Sequence, residues 1–185
     1  MNIEFGQGAF GIENFYSKQE CERFIEHSES VGYRPASINT QMGPRIQAWA
    51  RNNDRVIMDD FDLAQRLYER LVEQLPTEID SWKLSGLNER FRFYRYQNRE
   101  YFRWHYDGSF IRDVYEHSKL TLLIYLNEGF EGGETEFEFC KVAPKTGMAL
   151  IFPHRLKHQG AILLSGTKYV LRTDVMYVKP TLGSA

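Results

Sequence analysis

The sequence predicts a mostly-β α+β fold, in which an antiparallel barrel or sandwich is covered on the outside by amino-terminal helices. Two helical patterns precede Pro76, and short runs rich in aromatic and β-branched residues follow from residue 90 onward. Turn sequences separate these short runs. Helices followed by many closely spaced strands are typical of a sheet that closes on itself, or packs on a second sheet, beneath a helical layer.

Two amphipathic helices are predicted in the first half of the chain. Ser17 followed by Glu20 is a capping-box signature, and apolar residues at near-helical spacing follow it as far as Val31. The second helix ends before Pro76 and has one apolar stripe. The residues of that stripe are Leu63, Ala64, Leu67, Leu71 and Leu75. Residues 41–56, between the two helices, are polar and predict a loop or a short strand.

Five segments after residue 90 predict strands. Their side chains alternate or are rich in aromatic and β-branched residues, as strands with one or two buried faces require. The segments are residues 90–96, 119–126, 135–139, 148–152 and 168–178. Glycines mark the turns between them, and Gly132 and Gly133 are expected to supply the dihedral angles of a hairpin turn.

The composition favours a single globular domain in a reducing, cytoplasmic setting. The chain has 185 residues, of which 42% are hydrophobic, enough for one substantial core. A net charge of -2 argues against a nucleic-acid partner, and two cysteines are too few for a disulfide framework. The chain contains no run of about 20 apolar residues, so no membrane partner is expected. Oligomeric state is not predicted.

His105 and Asp107 are the first candidates for a metal site. Side chains alternate along a strand, so residues two apart point to the same face and both could face a barrel mouth. Two histidines and one carboxylate occupy one face of an octahedron around iron and leave three positions for substrate and oxygen. Alone, a His-x-Asp pair is weak support for a site, because such pairs also occur in surface turns.

His158 is the preferred third ligand among the candidates after the first helix. It begins a strand-like segment, which a turn joins to the last predicted strand, and that strand carries Lys168. His154 follows Pro153 and is expected at a rim or turn, and His117 is expected in a polar loop. The combination of a strand-borne histidine, a nearby lysine and the His-x-Asp pair therefore favours a metal site.

Four segments in this order resemble the iron(II)/2-oxoglutarate-dependent dioxygenases, and specifically their prolyl 4-hydroxylase-like branch. They lie between residues 90 and 178: "YRYQNREYFRWHYDG", "LTLLIYLNEGFEGGETEF", "VAPKTGMALIF" and "HQGAILLSGTKYVLRTDVMY". The resemblance implies a double-stranded β-helix, of the jelly-roll or cupin-like kind, in residues 90–180, with residues 1–89 as helical support and substrate cover. It also implies one domain, residues 1–185, and iron held by His105, Asp107 and His158 as catalytic ligands.

The resemblance further implies a pocket for 2-oxoglutarate as co-substrate, with dioxygen as the oxidant. The distal carboxylate of 2-oxoglutarate needs a cationic partner inside the barrel. Lys168 stands at the position that supplies this cation in prolyl 4-hydroxylase-like enzymes, and Arg172 is the alternative or a substrate contact. Tyr125 and Tyr96 match pocket tyrosines, and Thr121 shares a strand face with Tyr125, so all three are assigned to the cofactor site.

The implied reaction hydroxylates an unactivated C–H bond and converts 2-oxoglutarate to succinate and carbon dioxide. Related halogenases lack this carboxylate, so that chloride can bind iron. The presence of Asp107 therefore favours hydroxylation over halogenation. The substrate is expected to be a prolyl peptide, an amino-acid-like compound or another small molecule, with Arg51 and Arg55 as substrate contacts. If these arginines bind it, the substrate is anionic. Two alternatives stay open: a non-catalytic module that senses 2-oxoglutarate or metal, and a cupin-like zinc or manganese enzyme.

Overall fold

The computed structural model describes residues 2–40 and 43–180. Within the predicted loop of residues 41–56, residues 41–42 lie outside the described residues. The helices are α1 (Lys18–Val31) and α2 (Phe61–Leu71), and α2 continues into a single 3-10 turn, Val72–Gln74. No helix among the described residues is long and apolar enough to cross a membrane.

The strands before residue 90 are β1 (Asn2–Gly6), β2 (Ala9–Ile12), β3 (Arg34–Pro35), β4 (Ile38–Thr40), β5 (Gly43–Arg45), β6 (Asp54–Asp59), β7 (Glu78–Ile79) and β8 (Trp82–Leu87). The strands from residue 90 are β9 (Arg90–Tyr96), β10 (Phe102–His105), β11 (Glu116–Tyr125), β12 (Glu131–Gly132), β13 (Thr135–Phe137), β14 (Lys141–Val142), β15 (Ala149–Pro153), β16 (His158–Gly160), β17 (Leu163–Ser165) and β18 (Lys168–Val178). All five predicted strand segments therefore contain strands.

A large antiparallel sheet and a smaller one form the body of the fold. The large sheet has the order β1-β2-β15-β11-β18-β9-β6-β3, with β8 also paired to β18 and β7 to β8. The smaller sheet has the order β10-β16-β13-β14. Neither sheet closes on itself, and together they form the double-stranded β-helix that the family resemblance implies.

A polar side chain caps the amino terminus of each helix. The Ser17 hydroxyl accepts from the backbone N–H of Glu20 at 3.2 Å, and the Glu20 carboxylate accepts from the backbone N–H of Ser17 at 2.7 Å. This is the predicted capping box, which satisfies two amides that the helix leaves unbonded. Asp60 caps α2 by accepting from the Leu63 N–H at 2.8 Å. Val31, expected on the buried face of α1, is exposed at the end of that helix.

Strand alternation divides the core into two layers. On β9, Phe91 and Phe93 pack with the helices, whereas Tyr94 and Tyr96 point to the space between the sheets. The predicted stripe of α2 is buried in the helix-facing layer. Because side chains alternate along a strand, each long strand serves both layers at once. The layer between the sheets contains the candidate site.

Candidate metal and cofactor site

The three predicted metal ligands converge at one end of the space between the sheets. The ligand atoms of His105, Asp107 and His158 all lie within 4.8 Å of one another. His105 on β10 is the direct antiparallel partner of His158 on β16. Direct partners project their side chains to the same face with Cβ atoms about 5 Å apart, so this register brings the two imidazoles together.

Both imidazole rings are held by the same kind of hydrogen bond. Nδ1 of His105 lies 2.7 Å from the carbonyl oxygen of Arg103, and Nδ1 of His158 lies 2.9 Å from that of Leu156. A carbonyl only accepts, so each Nδ1 carries the proton and each Nε2 keeps its lone pair. The two Nε2 atoms lie 3.7 Å and 3.6 Å from carboxylate oxygens of Asp107. The donor set suits a divalent transition metal.

The ionisation states of these groups also suit a metal. Burial disfavours the carboxylate of Asp107, but the charge of Arg172, followed by the two histidines, holds the pKa of Asp107 well below its usual range. Burial lowers the pKa of His158 to about 4. At neutral pH the carboxylate is therefore charged and His158 is neutral, and metal ligands must be in these forms.

Two further side chains hold the Asp107 carboxylate in place. Nη2 of Arg172 on β18 forms an ion pair with Oδ1 at 3.1 Å, and the Thr121 hydroxyl on β11 donates to Oδ2 at 2.6 Å. Arg172 also pairs with Asp174 at 3.1 Å. Each oxygen of Asp107 thus has a partner from the large sheet, so the side chain is oriented before any metal binds.

A buried hydrogen-bonded chain continues behind Thr121, through a histidine to which the sequence assigns no role. Nδ1 of His154 lies 2.9 Å from the Thr121 hydroxyl, and Nε2 lies 2.8 Å from the Ser118 hydroxyl. Because Thr121 donates to Asp107, its oxygen accepts from His154 Nδ1–H, and His154 Nε2 accepts from Ser118. His154 lies in a turn, as predicted, yet it is buried, and burial lowers its pKa.

Lys168 is a buried residue that lines a cavity together with His105, Asp107 and His158. Its ammonium group donates to the carbonyl oxygen of Gly133 and lies 5.2 Å and 5.6 Å from the ring centres of Tyr96 and Tyr125. In the described part of the chain, Lys168 forms no ion pair. Burial lowers its pKa to about 7, and the charge of Glu134 only partly opposes that shift. A buried ammonium without a counter-ion is unfavourable unless a ligand supplies the anion.

The other residues assigned to the cofactor occupy different parts of the site. Tyr96 and Arg172 line the cavity together with Lys168. Tyr125 lies behind the cavity wall and donates to the Thr135 hydroxyl at 2.7 Å. Thr121 contacts Asp107 at the metal end. The predicted turn glycines, Gly132 and Gly133, have φ angles of 74° and 71°, which brings the Gly133 carbonyl to Lys168.

A second, open cleft of about 590 Å³ lies in front of the predicted metal ligands, two of which, His105 and Asp107, line it. Arg51 and Arg55, the predicted substrate contacts, both line it. Arg172 and Tyr94 line both this cleft and the inner cavity. Burial raises the pKa of Tyr94, but the charges of Arg172, Arg51 and Arg92 outweigh it and lower that pKa to about 8.

Comparison with known proteins agrees with this geometry. The sequence profile of the 2OG-Fe(II) oxygenase superfamily matches residues 91–173. This segment is therefore similar in sequence to the 2OG-Fe(II) oxygenases. The expected resemblance and the expected cofactors, Fe(II) and 2-oxoglutarate with dioxygen as the oxidant, are thereby confirmed at the level of the superfamily. No curated protein shows a significant sequence match.

Solved structures of prolyl hydroxylases share the fold. The viral collagen prolyl hydroxylase of Paramecium Bursaria Chlorella virus-1, in complex with 2OG, is 23% identical with a TM-score of 0.67, covering 94% of this chain and 98% of its own. A Pseudomonas putida prolyl-4-hydroxylase is 15% identical with a TM-score of 0.65, covering 94% of each chain. A Trichoplax adhaerens prolyl hydroxylase, in complex with a hypoxia inducible factor peptide fragment, is 16% identical with a TM-score of 0.71, covering 93% and 84%.

Proposed function

We propose that this protein is an Fe(II)- and 2-oxoglutarate-dependent dioxygenase that hydroxylates an unactivated C–H bond and releases succinate and carbon dioxide. One observation carries the proposal. Two imidazole Nε2 atoms and a carboxylate converge beside a cavity that also contains a buried lysine, which has no anionic partner among the residues that the structure describes. A metal with open coordination positions and a carboxylate-bearing co-substrate would satisfy both features together.

His105, Asp107 and His158 would hold the iron in this proposal. Bound Fe(II) supplies the activation of dioxygen, coupled to oxidative decarboxylation of 2-oxoglutarate. The protein groups keep the ligands in position: Arg172 and Thr121 fix the carboxylate, and backbone carbonyls fix the imidazoles. No other side chain has to act as a general base.

Lys168 would bind the distal carboxylate of 2-oxoglutarate, with Tyr96 on the cavity wall and Tyr125 behind it. A carboxylate in place of water beside the ammonium would form a charge-assisted hydrogen bond in a buried setting. Arg172 is the less suitable candidate, because two carboxylates already occupy its guanidinium. We therefore assign Arg172 and Thr121 to the positioning of Asp107.

The substrate is proposed to be an amino-acid-like molecule or a prolyl peptide. The open cleft in front of the metal ligands could admit either, and prolyl hydroxylases, one of them in complex with a peptide, share the fold. We also propose that residues 1–185 form one domain with its core in residues 90–180. Support comes from β1, β2 and β6, which extend the large sheet from the first 89 residues.

The proposal is tested with anaerobic protein, Fe(II) and 2-oxoglutarate. We expect a weak visible charge-transfer absorption band, and then succinate after air is admitted. Asp107→Ala should lose both signals, whereas Asp62→Asn, an exposed position on α2, serves as the matched control. Absence of both the band and succinate from the wild type would contradict the proposal. An absorption band without succinate under any condition would favour the alternative of a non-catalytic sensor. Catalytic activity with zinc or manganese as the only metal would favour the alternative of a cupin-like enzyme.

A further inference from the structure

The cleft in front of the metal ligands contains an arginine whose position is fixed on three sides. Arg51 is only 3% exposed, and its guanidinium lies 4.2 Å from the ring centre of Phe102 and 4.8 Å from that of Tyr94. Nε and Nη2 of Arg51 donate to Oδ1 of Asn53 at 3.0 Å and 2.9 Å. The amide of Asn53 is itself held, because its Nδ2 donates to the carbonyl oxygen of Asp54 at 2.8 Å.

This arginine is close to the metal end of the cleft. The ring of Phe102 stacks on His105 with ring centres 3.6 Å apart, so only one ring separates the guanidinium of Arg51 from a proposed iron ligand. A second arginine, Arg55, lines the same cleft and donates from Nη2 to the Ser37 hydroxyl at 3.1 Å.

The charges of these two arginines are not neutralised. Arg92 and Arg172, which also line the cleft, are paired with the carboxylate of Asp174. Within residues 2–40 and 43–180, Arg51 and Arg55 form no ion pair, and their hydrogen-bond partners are a neutral amide and a hydroxyl. A neutral partner fixes a guanidinium without cancelling its charge, which leaves the charge available to a ligand.

The excess positive charge acts on neighbouring groups. Burial, and then the charges of Arg51 and Arg92, lower the pKa of Arg55, although Tyr94 partly opposes this. A cluster of cations at the mouth of a pocket with few compensating carboxylates attracts anions and holds them where they meet the reacting centre.

We propose that Arg51 and Arg55 bind an oxyanion of the substrate, either a carboxylate or a phosphate, so that the enzyme acts on a small acidic molecule. This inference rests on the proposed oxygenase function, because it concerns the substrate of that same site. The planar fork of a guanidinium matches the two oxygens of a carboxylate or phosphate. His105 and Asp107 line the same cleft as Arg51, so a substrate held there by its oxyanion would lie in the space that these two residues border.

Matched pairs of probes test the charge requirement directly. Protein loaded with Mn(II) and 2-oxoglutarate, which does not turn over, is titrated with each proteinogenic L-amino acid and with the corresponding amino-acid amide. O-Phosphoserine amide tests phosphate in the absence of a carboxylate. Binding is followed by the fluorescence of Trp49 and Trp104, which line the cleft. We expect at least one acid or the phosphate probe to bind at least about tenfold more tightly than the counterpart that lacks the oxyanion.

Variants identify the side chains that are responsible for this preference. Arg51→Met should reduce that preference to below tenfold, and Arg55→Met, at a less buried position, gives a second variant if Arg51→Met does not fold. Arg66→Gln removes an exposed arginine of α2 and is the matched control, which should keep the preference. The proposal is overturned if the wild type prefers no oxyanion-bearing probe tenfold over its counterpart without the oxyanion, or if the folded variants keep the tenfold preference.

One further assay distinguishes failure of the oxyanion site from failure of the oxygenase assignment. Wild-type protein with Fe(II), 2-oxoglutarate and air, without any probe, reports slow uncoupled succinate formation. Succinate without any preference for charged probes would overturn the oxyanion site alone. A preference for charged probes without succinate would support the anion site and contradict the oxygenase function.

Discussion

Replacement of Lys168 by methionine separates the cofactor assignment from its alternative. Methionine keeps an unbranched side chain of similar length but removes the charge. Lys168 is only 3% exposed, and its ammonium group has no anionic partner among the described residues. A bound carboxylate would therefore be its only counter-ion. Loss of one member of a buried charge pair costs about 2–5 kcal/mol, so the affinity for 2-oxoglutarate should fall by about thirtyfold or more.

The pH dependence of 2-oxoglutarate binding gives an independent check. Burial lowers the pKa of Lys168 to about 7, and only the protonated ammonium pairs with a carboxylate. Binding is therefore strongest below that pKa and weakens as the pH rises, approaching a tenfold loss per unit above about pH 8. Lys168→Arg stays charged throughout this range, so this part of the pH dependence should disappear.

The measurement is an anaerobic titration of the Fe(II) protein with 2-oxoglutarate, followed by the visible absorption band between about pH 6 and pH 9. Lys83→Met, at an exposed position on β8, is the matched control and should titrate like the wild type. Unchanged affinity in Lys168→Met would refute the assignment of Lys168 and return Arg172 as the candidate for the distal carboxylate.

Three further substitutions test the surroundings of the site and the fold. Thr121→Val removes the donor to Asp107 and should weaken Fe(II) affinity by about tenfold to a hundredfold in chelator competition; unchanged affinity would exclude a positioning role. Arg172→Met leaves a buried carboxylate unpaired and should lower the free energy of unfolding of the metal-free protein by about 3–5 kcal/mol in urea; a loss below about 1 kcal/mol would contradict this. Asp60→Ala removes the cap of α2 and should cost about 1 kcal/mol by thermal denaturation, whereas an unchanged midpoint would show that the cap contributes nothing.

The sequence predicts the strands from residue 90 onward better than the strands before it. Segments such as β11 and β18 are long and rich in buried apolar residues, so their local sequence pattern is sufficient to predict a strand. In contrast, β6 is mixed and charged, with Val56 as its one fully buried residue. It is a strand because it pairs along its whole length with β9. The local sequence of β6 does not indicate this long-range pairing.

The convergence of the three proposed metal ligands could be predicted, but the groups that hold them could not. Alternation places His105 and Asp107 on one face, and family resemblance supplies His158. The contact of Arg172 with Asp107 depends instead on how β18 pairs with β11, where Arg172 lies opposite Leu123 and Asp174 opposite Thr121. Register between strands distant in sequence decides these contacts.

The central claim is that this protein transfers oxygen from dioxygen with 2-oxoglutarate as co-substrate. It is tested most directly by supplying ¹⁸O₂ to protein loaded with Fe(II) and 2-oxoglutarate and measuring the mass of the succinate formed. One atom of the dioxygen enters the new carboxylate of succinate in this reaction, so we expect succinate with a single ¹⁸O label. Unlabelled succinate, or none from metal-loaded protein under any tested condition, would contradict the assignment.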